Sequence, residues 1–76
     1  MATLDQALLG QRGRVVSVAG DDAIVQRLLE MGIMEGEPFE VIGFAPLGDP
    51  MEIRLQDYRL SLRRSEAARV LVTLDS

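Results

Sequence analysis

Two kinds of hydrophobic spacing run along the chain, and each assigns an element. Between Asp21 and Met31 the positions Ile24, Val25, Leu28, Leu29 and Met31 fall within an arc of roughly 160° at 100° per residue. Asp22, Gln26, Arg27 and Glu30 take the opposite side. This spacing predicts an amphipathic helix over 21–31. Asp21 or Asp22 stands where a carboxylate caps free backbone N–H groups and meets the positive end of the helix dipole. Gly32 stands where a stop with positive φ is expected, and Ile33 where the chain folds back onto the last turn.

Elsewhere the spacing has period two. Arg14–Ala19 (RVVSVA) is rich in β-branched residues and predicts a strand that Gly20 closes. Phe39–Phe44 (FEVIGF) predicts a second strand, apolar on both faces, with Gly43 marking a bulge or sharp bend. Ala45–Pro50 (APLGDP) reads as a loop, since two Pro and a Gly-Asp pair do not fit inside a paired strand.

Met51, Ile53 and Leu55 then alternate with polar residues, as do Tyr58, Leu60 and Leu62. A two-residue loop at Gln56-Asp57 sets 55 opposite 58, 53 opposite 60 and 51 opposite 62, and every pair is apolar. Two features resist this hairpin. Gln56 is a poor residue for positive φ, and Arg54 faces Arg59 on the outer side.

Leu4–Leu9 suggests one short helical turn with Leu4, Ala7 and Leu8 inward. Gly10 and Gly13 bracket a turn, and Gly36-Glu37-Pro38 makes another. Ser65–Ala68 reads as a helical turn opened by a Ser65 cap, and Arg69–Leu74 as the last strand. The expected fold is mainly β: a small antiparallel β-barrel of about five strands, with one α-helix between the first and second strands. Closure removes exposed sheet edges. No linker or repeat divides residues 1–76, so one domain is expected.

Composition narrows the chemistry. The 76 residues include no His, Cys, Trp or Lys. Disulfides, zinc knuckles, imidazole bases and thiol nucleophiles are thereby excluded. No hydroxyl sits in a Gly-X-Ser-X-Gly setting, and the seven Gly form no phosphate-binding pattern, so neither catalysis nor a cofactor is expected. Twelve acidic residues leave oxygen-only cation sites open. The nearest groupings, Asp21-Asp22 and Asp49 with Glu52, read better as caps, turns and solvated surface. Met31, Met34 and Met51 read as core or contact residues, so no metal ligand is assigned.

The net charge of −4 sets a poor prior for nucleic acid. The one basic cluster is Arg59, Arg63 and Arg64, which suits a solvated face, an acidic partner or, less well, nucleic acid. No segment approaches a membrane span and no signal peptide is visible, so a cytoplasmic protein is expected. Protein–protein recognition remains. Gly32, Ile33 and Met34 form one candidate contact loop, and Leu47, Gly48 and Asp49 a second. If exposed they make an apolar patch; if folded inward they plug one end of the core.

Three motifs carry a family resemblance: LLEMGI with Gly36 three residues on, APLGDP, and YRLSLRRSEA. Together, Arg27–Val72 resembles the FeoA family, with a weaker match beginning at LLGQRGRVVSVAG. Asp57 stands where a Gly is usual before the hairpin Tyr, and Met34 where a more polar or Leu-like residue is. The resemblance implies an SH3-like barrel and a non-enzymatic accessory role in bacterial ferrous iron uptake. The implied partner is the cytoplasmic GTP-binding part of a FeoB-type permease, without nucleic acid or membrane insertion, and a homo-oligomer is left open. Gly32, Ile33, Met34, Leu47, Gly48 and Asp49 are the expected contacts, with Arg63 and Arg64 beside them. Transition-metal binding belongs to the family rather than to any residue assigned here. The alternative is a nucleic-acid-binding or transcription-regulator-type SH3-like module, since the same shape ends DtxR-type repressors; this chain has no helix-turn-helix and no DtxR-type ligands.

Overall fold

The computed structural model describes residues Met1–Asp75. Six strands form one antiparallel sheet: β1 (Ala2–Thr3), β2 (Arg12–Val18), β3 (Pro38–Phe44), β4 (Met51–Leu55), β5 (Tyr58–Leu62) and β6 (Val70–Leu74). Helix α1 (Ala23–Glu30) joins β2 to β3, and α2 (Arg64–Ala67) joins β5 to β6; Leu4–Gln6 forms a 3₁₀ turn. The strand order is β1-β6-β2-β3-β4-β5.

The sheet does not close, which corrects the expected five-stranded barrel. Its two margins, β1 and β5, are not paired with each other. The strand that closure requires, β1, is two residues long, and both pair with β6 (Ala2 with Val72, Thr3 with Leu71). Two margins therefore survive, one very short and the other carrying Arg59, and shortness and charge are both ways of blunting an edge. Because β1 precedes it, the long helix lies between the second and third strands rather than the first and second.

The hairpin register is the one that alternation predicts: Leu55 opposite Tyr58, Ile53 opposite Leu60, Met51 opposite Leu62. Its loop turns with φ 45° at Gln56, while Asp57 keeps negative φ. The Gln56 amide donates to the Glu37 carboxylate at 2.8 Å, fixing a residue whose backbone is unfavourable. The β3–β4 register shifts between Val41 and Gly43, the bulge that Gly43 foretold.

Asp22 caps α1 by accepting from the Val25 N–H. At the other end, the Ile33 N–H donates to the Leu28 carbonyl (3.0 Å) and the Gly32 N–H to that of Leu29 (3.1 Å). That pair of bonds is a Schellman stop. Gly32 has φ 101°, and a Cβ there would lie 2.0 Å from the Tyr58 hydroxyl, so both backbone and space exclude a side chain. The core gathers Leu4, Val15, Leu28, Ile33, Val41, Met51, Ile53, Leu55, Leu62, Val70 and Val72. Two expectations at the periphery fail. Leu8 lies 67% exposed, because the 3₁₀ turn ends at Gln6 and buries Leu4 and Ala7 instead. The cap of α2 is Arg63, not Ser65: the Arg63 N–H donates to the Glu66 carboxylate at 2.9 Å, and the Glu66 N–H returns to the Arg63 carbonyl.

Candidate functional site

The loop between β3 and β4 is short, and its backbone bonds close on themselves. The Ala45 N–H donates to the Pro50 carbonyl at 3.0 Å, and the Gly48 N–H to the Ala45 carbonyl at 2.7 Å. Gly48 supplies the positive φ, 85°, that this turn requires.

Arg64, the first residue of α2, fastens this loop from outside. Its Nε donates to the Gly48 carbonyl at 2.6 Å and its Nη1 to the Asp5 carbonyl at 2.8 Å. Its guanidinium carbon lies 5.1 Å from the centre of the Phe44 ring, within cation–π range. The Arg64 N–H donates to Asp49 Oδ1 at 3.0 Å, so Asp49 satisfies a free amide of the first turn. One side chain thus ties β3, the loop, α2 and the 3₁₀ turn together. At the tip, Leu47 is 96% exposed. A long apolar side chain is held out in water by a loop whose backbone is fixed.

The other candidate loop is divided. Ile33 is fully buried as part of the helix stop, whereas Met34 is 51% exposed. Gly36 anchors the loop to β2: its N–H donates to the Val15 carbonyl at 2.7 Å, and its carbonyl accepts from Arg14 at 3.1 Å. Among the described residues no hydrogen bond or ion pair joins Gly32–Met34 to Leu47–Asp49. Leu47, Gly48, Asp49 and Arg64 are one cluster, and the Met34 loop stands at the other end of β3, before Pro38 rather than after Phe44. Arg63 is exposed and flanks the cluster through α2.

Sequence reasoning missed the residues that hold these parts. Glu66 is 6% exposed, caps α2 and pairs with Arg27 of α1. The Tyr58 hydroxyl donates to the Met31 carbonyl at 2.8 Å, tying the end of α1 to the start of β5. Phe44 and Asp5 enter only as supports for Arg64. A Glu three residues after an N-cap was the available sign for Glu66; nothing marked Tyr58 or Asp5.

In each acidic grouping one carboxylate is engaged structurally, Asp22 in the first and Asp49 in the second. Asp22 pairs with Arg69, whose guanidinium donates to both carboxylate oxygens at 3.0 and 2.9 Å. This bond, aided by the Val25 N–H, pulls the Asp22 pKa down from 3.8 to about 2. Asp49 is engaged with α2. No cluster of three or more His, Cys, Asp or Glu suited to a metal occurs among the described residues, and no described helix is long and apolar enough to cross a membrane.

The FeoA domain model matches residues 2–74. A fusion protein of Porphyromonas gingivalis, an Fe(2+) transport protein A joined to an Fe(2+) transporter FeoB, is 40% identical over 73 residues. Those residues are 96% of this chain but only 9% of that relative's length. Among solved structures, a FeoA-like protein from Clostridium acetobutylicum superposes with a TM-score of 0.90 at 33% identity, covering 96% of this chain and 85% of that one. Stenotrophomonas maltophilia FeoA, crystallised with zinc, gives 0.83 at 35% identity, over 96% and 91%. With the family model spanning nearly all of its length, and these relatives sharing both sequence and fold, the chain belongs to the FeoA family.

Proposed function

We propose that this chain is a non-enzymatic accessory protein of ferrous iron uptake, working in the cytoplasm by binding the cytoplasmic part of a FeoB-type permease. The observation that carries the reading is Leu47, almost wholly exposed on a loop that Arg64 fixes from two sides. An exposed apolar side chain on a preorganised loop has only its own rotamers left to order on docking, so little of its burial is offset by backbone entropy. The Porphyromonas gingivalis relative supports the partner, because it joins the two components in one chain. Leu47, Gly48 and Asp49 form the contact in this reading, with Arg64 as the brace behind it. Gly32, Ile33 and Met34 contribute through Met34 alone, since Ile33 belongs to the core.

In this reading the chain's part is mechanical: it recognises the permease and leaves metal chemistry to it. Titration calorimetry of this chain against the cytoplasmic part of a FeoB tests the reading. A saturable heat with one-to-one stoichiometry is expected; no interaction at high micromolar concentration overturns it.

A further inference from the structure

A row of charges crosses the outer face of the sheet. Arg12 on β2 is in register with Glu40 on β3, Glu40 with Arg54 on β4, and Arg54 with Arg59 on β5. Glu40 is held by both neighbours, Arg12 at 3.8 Å and Arg54 more closely. The row therefore runs plus, minus, plus, plus, and stops, because β5 is the last strand. Like charges directly opposite on neighbouring strands destabilise a sheet. Here the surplus cation falls at the margin, where another molecule has access.

The rest of the basic cluster separates by role. Arg64 is engaged with two backbone carbonyls and the Phe44 ring. The side chains of Arg59 and Arg63 have no hydrogen bond or ion pair among the described residues, and both are exposed. Strand alternation sets 59, 61 and 63 on one face, and Arg63 still has extended backbone. Beyond it, Arg63 helps line a groove of about 330 Å³ with Ala23, Ile24 and Arg27 of α1 and with Ser65 and Glu66 of α2, the Glu66 charge being met by Arg27.

We propose that Arg59 and Arg63 form a docking strip for an acidic segment of a partner protein. Such a segment lies along β5, sets a carboxylate beside Arg59 as the missing minus of the row, and sets a second at Arg63. Ala23 and Ile24 receive an apolar side chain next to that second carboxylate. Glu40 and Glu52 lie on the same outer face, opposite Arg54 and Ser61. They repel a continuous line of phosphates but leave room for separate carboxylates, which favours an acidic peptide over nucleic acid. A second copy of β5 leaves Arg59 without a carboxylate, because Tyr58–Leu62 contains no acidic residue and the one acid beside it, Asp57, reaches Arg63 alone in an antiparallel pair centred on Leu60. The strip adjoins the Leu47 cluster at Arg63 but shares no residue with it, and it does not depend on which protein supplies the segment.

The test is a titration of the isotope-labelled full chain, followed by amide resonances. The probes are a synthetic peptide of alternating Glu and Val, its Lys–Val counterpart, and a short oligothymidylate. The acidic peptide is expected to shift residues 59–63 and 23–24, weakening as salt rises. Arg59→Glu with Arg63→Glu lowers that affinity by about tenfold and lets the Lys–Val peptide bind instead. Arg59→Gln with Arg63→Gln, which introduces no new charge, weakens the acidic peptide without admitting the basic one. The proposal fails if the acidic peptide leaves residues 59–63 unmoved, or if both peptides act equally on the wild-type chain. It also fails if oligothymidylate binds more tightly, or if the same resonances shift with protein concentration alone, which marks a second copy.

Discussion

The Nε of Arg64 donates to the Gly48 carbonyl at 2.6 Å, joining the first turn of α2 to the loop that carries Leu47. Fifteen or so intervening residues make the β4–β5 hairpin, so this one bond closes a long local circuit. Replacing Arg64 with Met removes the two guanidinium bonds and the cation–π contact with Phe44 but keeps the backbone N–H that donates to Asp49. A stability loss of about 1–2 kcal/mol is expected, since the bonds are charge-assisted but exposed. Hydrogen exchange should quicken at Gly48 while the core of β4 stays protected. Unchanged exchange at Gly48 counts against a brace.

Glu66 is the one buried acid among the described residues, tied to the Arg63 N–H and to Arg27. Glu66→Ala removes a helix cap and leaves Arg27 without its partner. Because Arg27 is more than half exposed, the loss falls short of a fully buried pair, at about 1–3 kcal/mol. Urea denaturation measures it. Glu66→Gln keeps a cap acceptor and should recover part of the difference.

Leu28 is fully buried at the centre of α1. Leu28→Ala should cost about 2–5 kcal/mol, a large share of the stability of so small a chain. A shift of less than about 0.5 kcal/mol belongs to an ordinary surface site and refutes the packing assigned to this helix face.

Acid should loosen the contact between α1 and the turn before β6. The Asp22 pKa is lower in the folded chain, so the Arg69 bond stabilises fully above the ordinary value of 3.8 and is lost as pH falls towards about 2. Wild type and Asp22→Asn should therefore differ most in melting temperature near neutral pH and converge in that acid window. Curves that stay parallel down to about pH 2 contradict the linkage.

Alternation and glycine placement made much of this fold legible. The Met51–Leu62 hairpin register followed from six apolar residues, and the Gly32 stop from one glycine after an amphipathic run. Barrel closure was misjudged because alternation reports which face is buried, not which margins meet. A two-residue strand such as Ala2–Thr3 has no periodicity to detect. For the candidate site, Leu47 was visible as an apolar residue among turn formers. Its brace was not: Arg64 meets Asp5 across 59 positions, a proximity that only the folded sheet creates. The return of Ile33 onto the helix was legible from Gly32 before it, and the Schellman bonds carry it into the core.

The most direct measurement is the affinity of Leu47→Asp for the cytoplasmic part of a FeoB, set beside that of the wild-type chain. Leu47 touches the core nowhere at 96% exposure, so the variant should melt within about 0.5 kcal/mol of wild type. Binding should weaken by more than about tenfold, the cost of about 1.4 kcal/mol when an apolar contact is replaced by a charge. Equal affinity in a fully folded variant contradicts the proposed Leu47 contact.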